Sequence, residues 1–187
     1  MKYMKQYLIT DPQYYHNFEL TLKNALLEHK PEYACFRDKH STNHDEKVRT
    51  FVDVGRKFSD TKLIVHSHLT LALKYKSDGL HVASSDFDTI KRAKENDLFV
   101  VASTHSIEEA KEAVKFGADA LTFSPIFFTP KKSKPVGLEK LKEIIDIIGA
   151  PIFALGGIIT DAQISALEKV EPYGFASIRY FLPKESS

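Results

Sequence analysis

The stretch LFVVASTHSIEEAKEAVKFGADALTFS, residues 98–124, decides the fold class. Leu98–Ala102 is a short run of apolar, largely β-branched and aromatic residues, and Ala120–Ser124 is a second. Between them Ser106–Phe116 has helical period: Ser106 and Glu109 have capping-box spacing, Ile107, Ala110 and Val114 share one face, and Gly117 supplies the stop. Strand, helix, strand in so short a span reads as a βαβ unit with parallel strands.

Working outward, the same signal recurs. Strands are expected at Gln6–Thr10, Tyr33–Arg37, Lys62–His66, Gly79–Ala83, Pro151–Leu155 and Gly174–Ile178, in addition to the two above. Each is nearly continuous in apolar character rather than alternating, as strands buried on both faces are. Helical period returns at Asp45–Lys57, Asp86–Glu95, Leu138–Ile148 and Asp161–Val170. Eight strands alternating with helices predict a single (β/α)8 TIM barrel over residues 1–187. At 187 residues the chain is short for a fold that typically takes about 250. Only Tyr180–Ser187 follow the last strand, so the final helix is expected to be truncated or missing, and a partner subunit is one way to cover that flank.

Composition limits the function. With 43% hydrophobic and 27% charged residues the chain can bury one sizeable core. A formal net charge of +1 argues against a nucleic-acid or membrane-surface binder, so basic chemistry must be local. One cysteine, Cys35, excludes an internal disulfide and suits a reducing compartment. The N-terminal apolar run is too short for a signal-peptide core, and no run approaches the roughly 20 residues that span a bilayer, so a cytoplasmic location is expected.

In such barrels chemistry sits at the C-terminal strand ends. Taken singly, each polar strand end reads as chain leaving the core. Together they put Arg37 and Lys39 after the second strand, a basic loop reaching Lys134 after the sixth, Gly156–Gly157 after the seventh and Arg179 after the eighth, all at one mouth. The last two positions are where barrels usually hold a phosphate group: glycines admit a close backbone approach and an arginine can grip phosphate oxygens.

The segments YLITD (7–11), CFRDK (35–39), LIVHSHLTLALKYKSDGLHV (63–82), STHSIEEAKEAVKFGADALTFSPIFFTPKK (103–132), VGLEKLKEII (136–145), PIFALGGI (151–158) and GFASI (174–178) occur in a familiar order. The chain resembles the thiamin phosphate synthase/TenI superfamily over essentially its whole length. The resemblance implies a (β/α)8 barrel, usually dimeric, and thiamin biosynthesis. In the synthase branch hydroxymethylpyrimidine diphosphate is joined to thiazole phosphate with Mg2+, and diphosphate is released. In the TenI branch a thiazole carboxylate phosphate is aromatised without a metal. Carried over residue by residue, Arg37 and Lys39 match the diphosphate-gripping motif and Asp86 one of two Mg2+-binding aspartates. Ser103 matches a fifth-strand serine, and Thr129 and Lys132 match the loop that closes over the substrates. Gly157, with Gly156 beside it, and Ile178 match groups around the thiazole phosphate.

The departures from the synthase pattern are specific. His66–Ser67 stands in place of Asn-Asp, removing one metal-binding carboxylate; Cys35 replaces a glutamine, Arg179 a serine and Lys131 a threonine. These changes bear on full synthase activity, with added cations where hydroxyl groups stood. Against the TenI pattern, Pro125 occupies the place of the catalytic histidine, leaving His66, His68 or His105 as acid–base groups. His81, inside a strand, reads as a satisfied core histidine and Cys35 as a small packed residue. Three readings follow: a synthase-type transferase, a metal-free tautomerase, and a non-catalytic binder of phosphorylated ligands.

Overall fold

The computed structural model describes residues 3–39, 41–130 and 133–183. Its strands are β1 (Lys5–Ile9), β2 (Tyr33–Phe36), β3 (Lys62–His66), β4 (Gly79–Val82), β5 (Phe99–Thr104), β6 (Ala120–Phe123), β7 (Ile152–Leu155) and β8 (Gly174–Ser177). Each pairs in parallel with its chain neighbours, and β8 pairs with β1, so the sheet closes into a barrel. The helices are α1 (Phe18–His29), α2 (His44–Gly55), α3 (Leu69–Lys74), α4 (Asp88–Lys94), α5 (Ile107–Phe116), α6 (Gly137–Ile147) and α7 (Asp161–Glu168).

Closure explains the unbroken apolar character of the strands. Alternate residues point to opposite faces of a strand. Tyr7, Ile9, Tyr33, Cys35, Ile64, Val101, Phe153 and Ala176 pack inside the barrel. Their neighbours, among them Leu8, Ala34, Phe36, Leu63 and Val65, pack against the helices. Both faces are therefore buried. Rings of Tyr7, Tyr33, Phe153 and Tyr173 fill the lower half of the barrel, with centroids 5.1–5.2 Å apart from Tyr7 to Phe153, Tyr33 to Phe153 and Phe153 to Tyr173. The interior is thus plugged below and opens above.

Among the described residues the expected shortening after the last strand is met, and other expectations need correction in detail. After β8 the described chain makes only a 3-10 turn, Arg179–Phe181, in place of a last helix. Phe181 is buried there against Phe175 and the ring of His29. Helices α1 and α3 gave no clear periodic signal. In α1, Leu20 and Leu27 are exposed while Leu22 and Leu26 are buried, so apolar residues circle the helix; α3, at six residues, is too short to display a period. On α5 the buried side chains are Ala110 and Ala113, while Val114 is exposed. Ser106 does cap the helix by accepting from the Glu109 N–H, and Gly117 closes it at φ +102°. The Glu109 carboxylate, however, accepts from the His105 N–H at 2.7 Å, one residue before the cap.

Candidate active site

A cavity of about 490 Å3 opens at the C-terminal end of the strands. Arg37, Lys39, His66, Ser103, Thr129, Gly156, Gly157, Ile178 and Arg179 all line it. Nine residues singled out from the sequence thus meet at one mouth, although they come from β2, β3, β5, β6, β7 and β8. Lys131 and Lys132 lie outside the described residues. Asp86 does not line the cavity; it is exposed in the β4–α4 turn, where its carboxylate accepts from the Thr89 hydroxyl at 2.8 Å.

On the β1–β2 side, Arg37 Nη1 donates to Asp11 Oδ2 at 2.7 Å in a half-buried ion pair. The Arg37 N–H donates to the Thr10 hydroxyl, so backbone and side chain are both anchored to the end of β1. Charge-assisted bonding of this kind pre-orders a cation that would otherwise lose freedom on meeting an anion. Lys39, two residues on, is exposed at the cavity rim. The intervening Asp38 faces away and is buried, accepting from the Ser41 N–H and from Lys47. This organises the turn that leads into α2.

His66 ends β3. Burial, followed by the positive charges of Arg37 and Lys39, pushes its pKa down to about 4. The ring is therefore neutral at pH 7. The Ser67 hydroxyl lies 2.8 Å from its Nδ1. Across the mouth, His105 Nδ1 is 2.9 Å from the Ser124 carbonyl oxygen. A carbonyl oxygen can only accept, so Nδ1 is the protonated nitrogen of the neutral ring, whose Nε2 then carries the lone pair.

Ser103 lines the cavity and its Oγ is 2.9 Å from His81 Nε2. His81 is buried and its Nδ1 is 3.0 Å from the Tyr7 hydroxyl. Burial holds the His81 pKa well below its usual value, with help from His66 and Arg37. His81 is satisfied, as a core histidine should be, yet it also touches the cavity. The bond from His81 to Ser103 and the pairing of Asp11 with Arg37 escaped sequence reasoning because each joins side chains on neighbouring strands or just past their ends, 22 and 26 positions apart.

The β7–β8 side is built on Gly156 and Gly157, at φ +102° and +70°. Sequence reasoning gives these glycines to close approach of an anion; the packing adds another reason. A Cβ on Gly156 would stand 2.8 Å from Pro125 Cα, and one on Gly157 2.4 Å from the Phe128 carbonyl oxygen. The glycines let the loop after β6 lie directly on the turn after β7. That loop begins with a cis Ser124–Pro125 peptide and carries Phe128, which is 74% exposed, just before Thr129. Ser177 ties the turns after β7 and β8 together: its hydroxyl donates to the Ile158 carbonyl at 2.7 Å and accepts from the Tyr180 N–H. Ile178 and the exposed Arg179 follow at the rim.

As for a metal, no three His, Cys, Asp or Glu side chains among the described residues are grouped so as to hold one. The acidic residue that lines the cavity, Asp11, is committed to Arg37. Mg2+ prefers several hard oxygen ligands in octahedral array, and this donor set does not supply them. Among the described residues no helix is long and apolar enough to cross a membrane.

Comparison with known proteins agrees with this geometry. The thiamine monophosphate synthase family profile matches residues 6–180. A protein of Aquifex aeolicus is 35% identical, with 97% of this chain and 100% of that one aligned. The thiamine-phosphate synthase of Halalkalibacterium halodurans is 31% identical, with 84% and 78% aligned. Among solved structures, the thiamine phosphate pyrophosphorylase from Pyrococcus furiosus superposes with a TM-score of 0.82 at 30% identity, covering 94% of this chain and 85% of that one. With the barrel closed, the cation pair after β2 and the glycine turn after β7 in one cavity, and this family matched along nearly the whole sequence, the chain belongs to the thiamine monophosphate synthase family and is an enzyme of thiamin biosynthesis.

Proposed function

We propose that this enzyme joins hydroxymethylpyrimidine diphosphate to thiazole phosphate and releases diphosphate. The observation that carries the reading is the division of one cavity into two anion-holding sides, Arg37 and Lys39 on one and Gly156–Gly157 with Ile178 and Arg179 on the other. The diphosphate goes to the first side and the thiazole phosphate to the second, which is also the usual phosphate position in barrels.

The bond between the pyrimidine methylene carbon and the diphosphate oxygen breaks, and its electron pair leaves with the diphosphate. The thiazole nitrogen lone pair then forms the new carbon–nitrogen bond, giving a thiazolium ring. Negative charge grows on the leaving oxygens, and Arg37, already oriented by Asp11, stabilises it without reorganising. No proton has to move in this sequence, which suits a neutral His66 whose pKa near 4 makes it a poor base at pH 7. His66 binds substrate instead, and Ser103 contributes its hydroxyl. The loop carrying Thr129, followed by Lys131 and Lys132, closes over the diphosphate and excludes water. Were Mg2+ to take part, Asp86 would be the carboxylate that the family resemblance assigns to it, and the ion would supply positive charge to the departing diphosphate.

One observation favours a second reading. His105 lines the cavity with its Nδ1 bonded to the Ser124 carbonyl, so its neutral ring keeps an acceptor Nε2 of the kind that a thiazole tautomerase needs. The test is to incubate the purified enzyme with both substrates and Mg2+ and, separately, with thiazole carboxylate phosphate. Equal amounts of thiamin phosphate and diphosphate are expected. Aromatisation of thiazole carboxylate phosphate without diphosphate release would transfer the assignment to the tautomerase, and binding of thiazole phosphate without either product would leave a binder.

A homodimer belongs to the same proposal. Leu20 and Leu27, exposed and two turns apart on α1, lie on the helix that the C-terminal turn packs against, beside the flank where the described residues form no eighth helix. Sedimentation of a monomer at micromolar concentration would remove it.

A further inference from the structure

Tyr7 on β1, His81 on β4 and Ser103 on β5 all point into the barrel and form an unbroken chain of hydrogen bonds from its aromatic plug to the cavity. The Tyr7 hydroxyl is 3.0 Å from His81 Nδ1, and His81 Nε2 is 2.9 Å from Ser103 Oγ. Tyr7 and His81 are 0% and 2% exposed, so water does not complete their bonding. The ring has one proton, because burial and the positive charge of Arg37 disfavour a second. Burial likewise keeps the Tyr7 phenol protonated and the Cys35 thiol up at about 12.

Two arrangements of the protons are conceivable, and the chemistry of the three groups separates them. In one, the phenol donates to Nδ1, Nε2–H donates to Ser103, and the serine proton is left for the cavity. In the other, Nδ1–H donates to the phenol oxygen and Ser103 spends its proton on Nε2. The phenol would then have to turn its own proton to the sulfur of Cys35 beside it, a weak acceptor that also stands 4.0 Å from His81 Nδ1 and 3.7 Å from the Phe36 carbonyl. A phenol is a strong donor and an imidazole nitrogen a strong acceptor, so the first arrangement makes the better pair of bonds. We propose that Tyr7 and His81 are positioning residues which fix the Ser103 hydroxyl as a donor toward the cavity, where it meets an acceptor atom of the substrate, a diphosphate oxygen or a pyrimidine ring nitrogen. The serine would otherwise be free to donate inward and present only lone pairs. The substrate assignment rests on the transferase reading; the proton arrangement does not.

The first experiment is nitrogen NMR of the ligand-free protein labelled with 15N-histidine, the His81 signals being assigned by their loss in His81→Gln. Nε2 is expected as the protonated nitrogen and Nδ1 as the bare, hydrogen-bonded one, with Tyr7→Phe shifting Nδ1. The opposite tautomer in the wild-type protein overturns the proposal whether or not the enzyme turns over. The second experiment is kinetic. Ser103→Ala and His81→Phe should each reduce kcat about tenfold or more. The double variant should be no slower than Ser103→Ala, and His81→Gln, which keeps an N–H donor, should recover most of the rate. Independent, multiplying losses in the double variant would show that His81 does not act through Ser103. A wild-type protein with no transferase activity, yet with the expected His81 tautomer, would refute the transferase reading and leave the positioning of Ser103 standing.

Discussion

Acid should destabilise this protein through His66 well before its carboxylates titrate. The pKa of His66 falls from 6.5 in the unfolded chain to about 4 in the folded one, first by burial and then through Arg37, Lys39 and His68. As pH drops below 6.5 the unfolded chain takes up the proton while the folded protein cannot, so stability present above that pH is lost on the way down to 4. For these two values the loss between about pH 7.5 and about pH 5 is about 2 kcal/mol. His81 is shifted in the same direction and adds to the loss. The perturbation is His66→Gln, which keeps an amide donor and cannot titrate. Urea unfolding of both proteins at the two pH values gives the comparison, and His81, present in each, cancels in the difference. The wild-type protein should lose about 2 kcal/mol more than the variant. Parallel losses would show that His66 does not carry the proton linkage, and with it would fall the picture of a neutral ring crowded by Arg37 and Lys39.

Arg37→Ala should lower kcat roughly 100-fold, because the lost cation acts on charge that develops as diphosphate departs; steady-state turnover decides it. Arg179→Ala should weaken thiazole phosphate binding about tenfold, the worth of one charge-assisted contact, and an unchanged dissociation constant by calorimetry would take Arg179 out of the phosphate site. Gly157→Ala should cost at least about 1–2 kcal/mol for its left-handed backbone alone, with the contact on Phe128 in addition, whereas Gly149→Ala, with open space around its Cβ, should unfold within about 0.5 kcal/mol of wild type. Calorimetry should find no tight Mg2+ binding to the ligand-free protein and a clear signal once inorganic diphosphate is added; strong binding without diphosphate would mean that a carboxylate cage exists after all.

How far the sequence could be read depended on whether a feature is local. Strands such as Lys62–His66 announced themselves because both faces of a barrel strand are buried, and β3 occupies those same residues. The α5 cap was legible in Ser106 and Gly117, since capping involves groups three or four residues apart. Gly156 and Gly157 could be placed but not fully explained, because their closest neighbours, Pro125, Phe127 and Phe128, are some thirty positions earlier. The bond from His81 to Ser103 had no sequence signature at all, and a histidine inside an apolar strand looked merely structural.

Much of the site nevertheless follows from one elementary rule applied to the strands once the barrel is granted. Side chains alternate between the two faces of a strand, so an inward residue fixes the direction of every second one after it. Starting from the buried inward residues Tyr7, Cys35, Ile64, Val101, Phe153 and Ala176, steps of two arrive at Ile9, Arg37, His66, Ser103, Leu155 and Ile178, and each of these lines the cavity. The register of β3 with β4 sets His81 beside His66, on the same inward face. A further step of two from Arg37 reaches Lys39 at the rim. The same further step from Leu155 reaches Gly157, whereas Gly156, Thr129 and Arg179 fall outside this count, past the strand ends where loop packing decides direction. The cavity thus has a floor dictated by strand parity and a rim dictated by loops. The floor residues, His81 with Ser103 above all, are held by the closed sheet and the buried Tyr7.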